Sequence, residues 1–215
     1  MRERPILFNG AMVRAILAGQ KTQTRRAVKP DGAVDVVRFI GADNQPTGEF
    51  GWCSNPSLIT RHIRCPFGQP GDRLWVRESF TDLRGTGIEH RPNIDGPIQR
   101  YAYSADTLPG SPGDYARKDY GIKWRPSIHM PREACRLVLE IIAVRVERLQ
   151  AISEVDAVAE GLSQSESGSW LPGPCDHPEW AFHQLWAQVY GETAWEANPW
   201  VWVIEFNKIN EVSNG

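Results

Sequence analysis

The feature that most restricts the fold of this chain is a long β-like run at residues 135–149. Its sequence, Cys-Arg-Leu-Val-Leu-Glu-Ile-Ile-Ala-Val-Arg-Val-Glu-Arg-Leu, is longer than most strands of globular proteins. Three further segments predict strands: residues 21–28 and the alternating runs 73–80 and 200–206. We expect these four strands to belong to one β-barrel.

Three short segments with helical character separate the strands. Residues 9–18 and 179–190 place apolar side chains on one face at helical spacing. Ser153 is a suitable N-cap for a helix that ends near residue 160, and Gly19 suits the left-handed position after the first helix. Because strands and helices do not alternate in a regular βαβ order, we expect an α+β fold, a small barrel with flanking helices.

Two stretches without periodicity are predicted to be loop-rich insertions, at about residues 30–70 and 84–131. The first is rich in Gly, Pro, Asn and Asp, and the second carries Pro-Gly turn signals at 109–110 and 112–113. No internal repeat, long charge run or linker divides the chain. We therefore expect a single domain over residues 1–215.

Composition excludes some classes of protein. Lys and Arg number 24 against 26 Asp and Glu, which argues against a wholly basic nucleic-acid binder and leaves room for a basic patch. No segment approaches the roughly 20 apolar residues of a membrane span, and the N-terminus lacks an apolar run of signal-peptide length. We expect a cytoplasmic protein without a membrane partner, and the sequence indicates no oligomeric state.

The cysteines, at positions 53, 65, 135 and 175, include no C-x-x-C pair. Cys53, His62 and Cys65, with Cys175-Asp-His177 as a distant completion, do not match the usual zinc spacings. No metal and no other cofactor is therefore predicted, and reduced thiols are expected in a cytosolic protein.

The chemistry-bearing segment is Lys21-Thr-Gln-Thr-Arg-Arg26, directly after the first predicted helix. A lysine, two hydroxyls and two arginines within six residues indicate a local anion-binding surface. Lysine close to threonine also supplies a nucleophile and a base. The alternative is a solvated, threonine-rich strand with cationic flanks.

The order of these segments resembles the ASCH-domain family, which has a PUA-like β-barrel. The pattern is Leu-Ala-Gly-x-Lys-Thr-x-Thr-x-Arg, then Gly-Asp-x-Leu-x-Val, a long strand, Ser-Glu-x-x-Ala-x-x-Glu-Gly, an aromatic helix and a terminal strand. The matched residues are 16–26, 71–78, 135–162 and 179–207, roughly half the chain. The two insertions depart from small members, and residues 124–131 are similar to longer, phage- or prophage-type members.

The resemblance implies nucleic-acid or nucleoside chemistry. Some small members look like amidohydrolases that remove the acyl group of N4-acetylcytidine, and others are linked to RNA cleavage or RNA binding; for this chain we expect metal-independent hydrolysis. The lysine, threonine and glutamate of the hydrolases correspond here to Lys21, Thr24 and Glu160. The implied partners are RNA, a modified nucleoside or single-stranded nucleic acid. The alternatives are a non-catalytic reader or a ribonuclease that uses the same pocket.

The residue types suit amide hydrolysis. Thr24 would supply the nucleophilic hydroxyl, and Lys21 would be its base if its pKa falls below about 10.4. Arg25 and Arg26 would lower that pKa as adjacent cations, and burial would act in the same direction. Glu160 would protonate the leaving nitrogen.

One geometric condition applies to this scheme. On an ideal strand Lys21 and Thr24 point to opposite faces, so a turn or bulge is needed after Gly19. Thr22 is the alternative hydroxyl. Each residue also has a plain structural interpretation: Lys21 as a phosphate contact, Thr24 as a β-favoured surface residue and Glu160 as a helix-surface charge.

Further binding residues are predicted outside this segment. Glu78 shares a strand face with apolar residues, and a buried carboxylate needs a cationic partner, so it is either a pocket residue or part of an ion pair. Trp75 and Trp124 are candidates for stacking a base. Three neighbours of Trp124 are predicted to line the same site: Arg125, Ser127 and His129.

Overall fold

The computed structural model describes residues 1–28, 35–40, 46–55, 58–91, 95–173 and 175–209, and the side chains within these ranges except those at 35–49 and 52–62. The strands are β1 (Glu3–Leu7), β2 (Gln23–Ala27), β3 (Asp35–Ile40), β4 (Pro46–Asn55), β5 (Leu58–Ile63), β6 (Arg73–Arg77), β7 (Phe80–Asp82), β8 (Tyr101–Tyr103), β9 (Val138–Arg148) and β10 (Trp200–Ile209). The α-helices are α1 (Gly10–Leu17), α2 (Pro112–Asp119), α3 (Glu154–Ala159), α4 (Pro178–Tyr190) and α5 (Glu192–Glu196).

The main sheet has five strands in the order β1-β6-β9-β10-β2. β1 pairs with β6 in parallel, and the other neighbours are antiparallel. All four predicted strands lie in this sheet, and the α+β class is confirmed. In the described part of the chain β1 and β2 are free edges, so the sheet is not closed into the expected barrel.

Strand β10 is buried on both faces of the main sheet, because each face packs against a different core cluster. Successive side chains of a strand point to opposite faces. Trp202, Ile204 and Phe206 join a core cluster with residues of β1, α1 and β6. Val201 and Val203 join a second cluster with residues of α3 and α4. A strand buried on both faces is nearly continuously apolar, as the segment after Trp200 is.

The insertions contain more regular structure than the sequence predicts. The first carries an antiparallel three-stranded sheet in the order β3-β4-β5, so the expectation of mostly loop is wrong there. The second carries α2 and β8, and β8 pairs with β7, the strand directly before the insertion. No helix in the described ranges is long and apolar enough to cross a membrane.

Candidate functional site

The edge strand β2 is joined to the end of α3 by backbone contacts. Lys21 forms an isolated antiparallel bridge with Glu160, the C-cap residue of α3. The amide of Thr22 donates to the Ala159 carbonyl at 2.9 Å, and the Thr22 carbonyl accepts from the Phe206 amide at 2.9 Å. Regular strand pairing of β2 begins at Gln23, so Lys21 lies before the strand in an isolated bridge.

The Lys21 side chain is buried against Glu160. Its Nζ donates to Glu160 Oε2 at 2.7 Å and to the Glu160 carbonyl at 2.8 Å, and Lys21 is 2% exposed. Burial lowers the pKa of Lys21, and Arg26 and Arg25 add to this, while the Glu160 carboxylate opposes it. The ammonium also lies 5.8 Å from the centre of the Phe8 ring. The result is a buried ion pair whose cation loses its proton more readily than an ordinary lysine.

Gly161 makes this approach of α3 and Lys21 possible. Its φ is +90°, a conformation that favours glycine. A Cβ atom at this position would lie 2.7 Å from Lys21 Cβ and 2.9 Å from Ala15 Cβ. The Glu-Gly pair of the motif therefore has a physical reason, because the glycine admits the lysine stem that reaches Glu160.

Arg25 is buried in a network of carboxylates. Its Nη1 donates to Glu160 Oε1 at 3.2 Å and to Gln23 Oε1 at 2.5 Å. Its Nη2 contacts Glu147 at 2.5 Å and Asp156 at 3.1 Å. Three carboxylates therefore compensate the charge of Arg25, and its role in binding a substrate stays a prediction.

A second arginine extends this network. Arg145 contacts Asp156 at 2.8 Å and Glu147 at 3.2 Å, and it also pairs with Glu205. The carboxylates come from β9, α3 and β10, so they cancel the local positive charge that the sequence of residues 21–26 indicates.

Arg26 differs from Arg25 in its partners. It donates to the Leu7 carbonyl at 2.7 Å and to the Tyr190 hydroxyl at 3.2 Å, and its guanidinium lies 5.3 Å from the Phe8 ring centre. Within the described ranges no carboxylate pairs with it. Arg26 is thus the cation of this segment whose charge is not compensated by a carboxylate of the described ranges.

Thr24 and Glu160 line a common cavity of about 20 Å³ between β2, α1 and α4. Thr24 is 1% exposed and pairs with Ile204, so its side chain lies on the sheet face of the core cluster that includes Phe8. The cavity is also lined by Met12, Arg25, Arg26, Phe182, Leu185, Trp186, Val189 and Tyr190.

An adjoining cavity of about 170 Å³ shares Met12, Glu160 and Leu185 with the first one. Glu160 is therefore placed where the two spaces meet. Lys21 lines neither cavity and reaches this position through its contact with Glu160. A volume of 20 Å³ holds about one water molecule, so a larger ligand requires movement of a shared side chain.

The other predicted binding residues do not line these cavities. Trp75 lies on β6, three strand positions from β2, which is roughly 14 Å at about 4.8 Å per spacing. Its ring is contacted by Arg77 at 5.3 Å and Arg132 at 6.0 Å. Thr22 is exposed. The expectation that all these residues share one pocket is therefore wrong.

The segment after Trp124 is also separate from the cavities at β2. Trp124 lines a different cavity, within the second insertion. Arg125 is exposed and forms a backbone bridge with Phe80, while Ser127 and His129 belong to a short 3₁₀ turn. These residues are close along the chain, and the bridge of Arg125 joins the segment to Phe80 of β7.

Glu78 forms the ion pair that its burial requires. It is 1% exposed and accepts from Arg136 Nε at 2.8 Å and Nη2 at 3.0 Å. Burial raises the pKa of Glu78, while the hydrogen bonds and charge of Arg136 oppose this. Arg136 also binds Asp106 at 2.6 Å and lies 4.0 Å from the Tyr103 ring centre.

One group in the described ranges has the composition of a metal site. Ligand atoms of Glu154, His177 and Glu179 lie within 4.8 Å of one another, with His177 Nδ1 at 3.7 Å from Glu154 Oε1. Glu154 and Glu179 occupy the first turns of α3 and α4, where a carboxylate stabilises the helix dipole without an ion. The side chains of Cys53 and His62 lie outside the described residues.

Several residues of the ion-pair network were not identified from the sequence. Asp156 lies three residues after the N-cap Ser153, and Arg145 and Glu147 are two positions apart on β9, which indicates one shared face.

Comparisons of the chain with protein-family models, with curated proteins and with solved structures found no match. The ASCH resemblance and the roles that it implies therefore stay predictions.

Proposed function

We propose that this protein binds a nucleobase at the edge of β2 and hydrolyses the acyl amide of N4-acetylcytidine or a related modified base. The observation that carries the proposal is the buried contact between Lys21 and Glu160, which adjoins the cavity of Thr24. Burying an ion pair costs desolvation free energy that apolar residues would avoid, so such a pair needs another explanation. Lysines and carboxylates with perturbed environments cluster at functional sites.

The proposal extends to fold and partners through the ASCH resemblance. We take the chain as a longer member of the phage or prophage type, in which the insertions accompany an open variant of the PUA-like sheet. RNA, a modified nucleoside or single-stranded nucleic acid is the proposed partner, in the cytoplasm. The reaction requires no metal.

The first half of the reaction uses the three residues in turn. The Thr24 hydroxyl oxygen attacks the acyl carbon while neutral Lys21 accepts its proton. Arg26, which has no carboxylate partner in the described ranges, stabilises the developing oxyanion. The carbon–nitrogen bond then breaks, and the proton passes from Lys21 through Glu160 to the leaving amine.

Water completes the cycle. It attacks the threonine ester with Lys21 as the base, the ester bond breaks, and the Thr24 oxygen regains a proton. The products are the free amine of the base and a carboxylic acid, which ionises and releases a proton to solvent, with one water molecule consumed. The substrate would enter through the 170 Å³ cavity, with Met12 or Leu185 moving aside.

A non-catalytic reader in the same cavity is the second candidate, and one observation favours it. The Lys21 amine lies 2.7 Å from a carboxylate oxygen of Glu160, and this carboxylate stabilises the protonated form of the lysine. A protonated lysine binds and orients, but it cannot accept the proton of Thr24.

Mass spectrometry on a panel of modified nucleosides and short RNAs tests these alternatives. Released acetate with free cytidine supports the hydrolase, shortened RNA supports a nuclease, and unchanged ligand with measurable binding supports the reader. Thr24→Val should remove turnover, and Thr22→Val is the matched control because this neighbouring hydroxyl is exposed. Turnover that survives Thr24→Val would reject the proposed nucleophile.

A further inference from the structure

We infer that the second insertion carries a separate binding site for a small, uncharged, planar aromatic or heteroaromatic molecule. The site is a cavity of about 560 Å³ between β7, β8, α2 and Trp124. It shares no lining residue with the two cavities at β2, so the inference does not rest on the proposed function.

The size and lining of this cavity suit a small molecule. Ligand cavities in proteins span roughly 300–1,000 Å³ and are mostly apolar, with a few polar groups that orient the ligand. Here Thr81 and His90 provide such polar groups. The aliphatic side chains of the lining are Leu83, Ile88, Ala102, Ala116 and Ile122, and its aromatic side chains include Tyr120 and Trp124.

The aromatic wall of the cavity is fixed by ion pairs within α2. The Arg117 guanidinium lies over the Trp124 ring, 5.4 Å from its centre. Arg117 is held by Asp114 Oδ1 at 2.7 and 3.1 Å and by the Ile122 carbonyl at 2.6 Å. Asp114 is itself buried and contacts Lys118 at 2.8 Å. A wall that is ordered before binding loses little conformational entropy when a ligand arrives.

The charges that line the cavity favour an uncharged ligand over a phosphate-bearing one. Arg117 lines the cavity and shares the Asp114 carboxylate with Lys118, which does not line it. Glu89 also lines the cavity and contacts Arg91 at 3.8 Å. In the described ranges the lining therefore holds no arginine or lysine without a carboxylate contact, whereas a neutral ring gains contact with Trp124 and the apolar side chains.

Two polar side chains of the lining add a polar preference. Thr81 and His90 line the cavity, and both side-chain types can donate or accept a hydrogen bond. A ring that carries a hydrogen-bonding nitrogen or oxygen therefore suits the cavity better than a hydrocarbon.

Binding of indole, adenine and adenosine monophosphate to the full chain, measured by saturation-transfer NMR and titration, tests the inference. Indole and adenine should bind, adenine more tightly, and the monophosphate should bind no more tightly than adenine. Trp124→Leu should weaken adenine at least about fivefold, since stacking on an aromatic side chain contributes about 1–3 kcal/mol per base. Ala116→Phe should block binding by filling the cavity and leaves Trp124 in place.

Matched controls separate this site from the rest of the surface. Trp180→Leu removes an exposed tryptophan on α4, and Ala151→Phe enlarges an exposed alanine, both outside the cavity. Adenine affinity should be unchanged in both. If Trp124→Leu fails to fold, adenine binding by Ala116→Phe decides whether this cavity holds the ligand. No saturable binding, binding unaffected by Ala116→Phe, or tenfold tighter binding of the monophosphate would overturn the inference.

Discussion

Glu160 and Glu78 are both buried carboxylates held by cations, but their partners differ in chemistry. Glu78 is bound through both oxygens by the guanidinium of Arg136. Glu160 is shared between the Lys21 ammonium and the Arg25 guanidinium, and it lines two adjoining cavities. Arginine stays protonated in proteins, whereas a buried lysine can release its proton.

This comparison shows that burial of a carboxylate does not by itself define a site. Both glutamates are buried, and each contacts an arginine. What distinguishes Glu160 is a second cation that can titrate, a threonine in the same cavity and space for a ligand beside it. Under the proposed function Glu160 takes part in the reaction, whereas Glu78 stabilises the fold. Changes at the Glu160 pair should therefore affect turnover, and changes at the Glu78 pair should affect the free energy of unfolding.

The largest effect is expected for Lys21→Met in the hydrolase assay. Methionine keeps the length of the stem but accepts no proton, and loss of one positioned acid–base group costs about 10²–10⁴ in rate. The fold should persist because Arg25 still pairs with Glu160. Acetate release measures the rate, and Arg136→Met is the contrasting variant, with near-normal turnover per folded molecule. Equal turnover in Lys21→Met and the wild type would remove lysine from the mechanism.

The second prediction concerns the free energy of unfolding rather than turnover. Arg136→Met leaves Glu78 buried without its cation, and breaking a buried pair from one side typically costs about 3–5 kcal/mol of unfolding free energy. Urea denaturation followed by circular dichroism measures this loss. Adding Glu78→Gln should recover part of it, because the remaining group is then uncharged. A loss no larger than that of an exposed arginine such as Arg84 would show that the pair contributes little.

The amino-acid sequence predicts those parts of the fold that local patterns encode. The alternation of apolar and polar residues predicts β6, β9 and β10, because every second side chain of such a strand packs into the core. It missed β1, where Pro5 lies in an edge strand that pairs only with β6. The sheet of the first insertion was also missed, since its turn-rich composition indicated loop.

The sequence predicts the cations of the candidate site but not the carboxylates that neutralise them. The motif placed Lys21 near Glu160, 139 positions apart in sequence, through the family resemblance alone. Nothing local to Arg25 indicates Glu147, which is 122 positions away. Ion pairs of this kind depend on strand order and register, and these are set by the whole sheet.

A smaller effect is expected when the glycine beside Lys21 is replaced. Gly161→Ala adds a Cβ at 2.7 Å from Lys21 Cβ in a left-handed conformation, so strain and a clash act together. Gly19→Ala is the matched control: its φ is +75° and the added Cβ meets nothing within 4 Å. Strained backbone alone costs about 1–3 kcal/mol, so we expect Gly161→Ala to lose more unfolding free energy than Gly19→Ala. Equal losses in urea denaturation would mean that Lys21 has room to move.

The smallest effects are opposite pH dependences of the two ion pairs. Burial lowers the pKa of Lys21, so between that lowered value and the ordinary 10.5 the unfolded chain binds more protons and the unfolding free energy rises with pH. Burial raises the pKa of Glu78, so between the ordinary 4.5 and that raised value the folded chain binds more protons and stability rises as pH falls.

Urea midpoints measured across pH for the wild type, Lys21→Met and Glu78→Gln isolate the two contributions. The alkaline rise should disappear in Lys21→Met and persist in Glu78→Gln, and the acidic rise should show the reverse pattern. Parallel curves for the wild type and Lys21→Met would mean that the Glu160 carboxylate fully offsets the burial of Lys21. The lysine would then stay protonated like an ordinary one, and the reader would be favoured over the hydrolase.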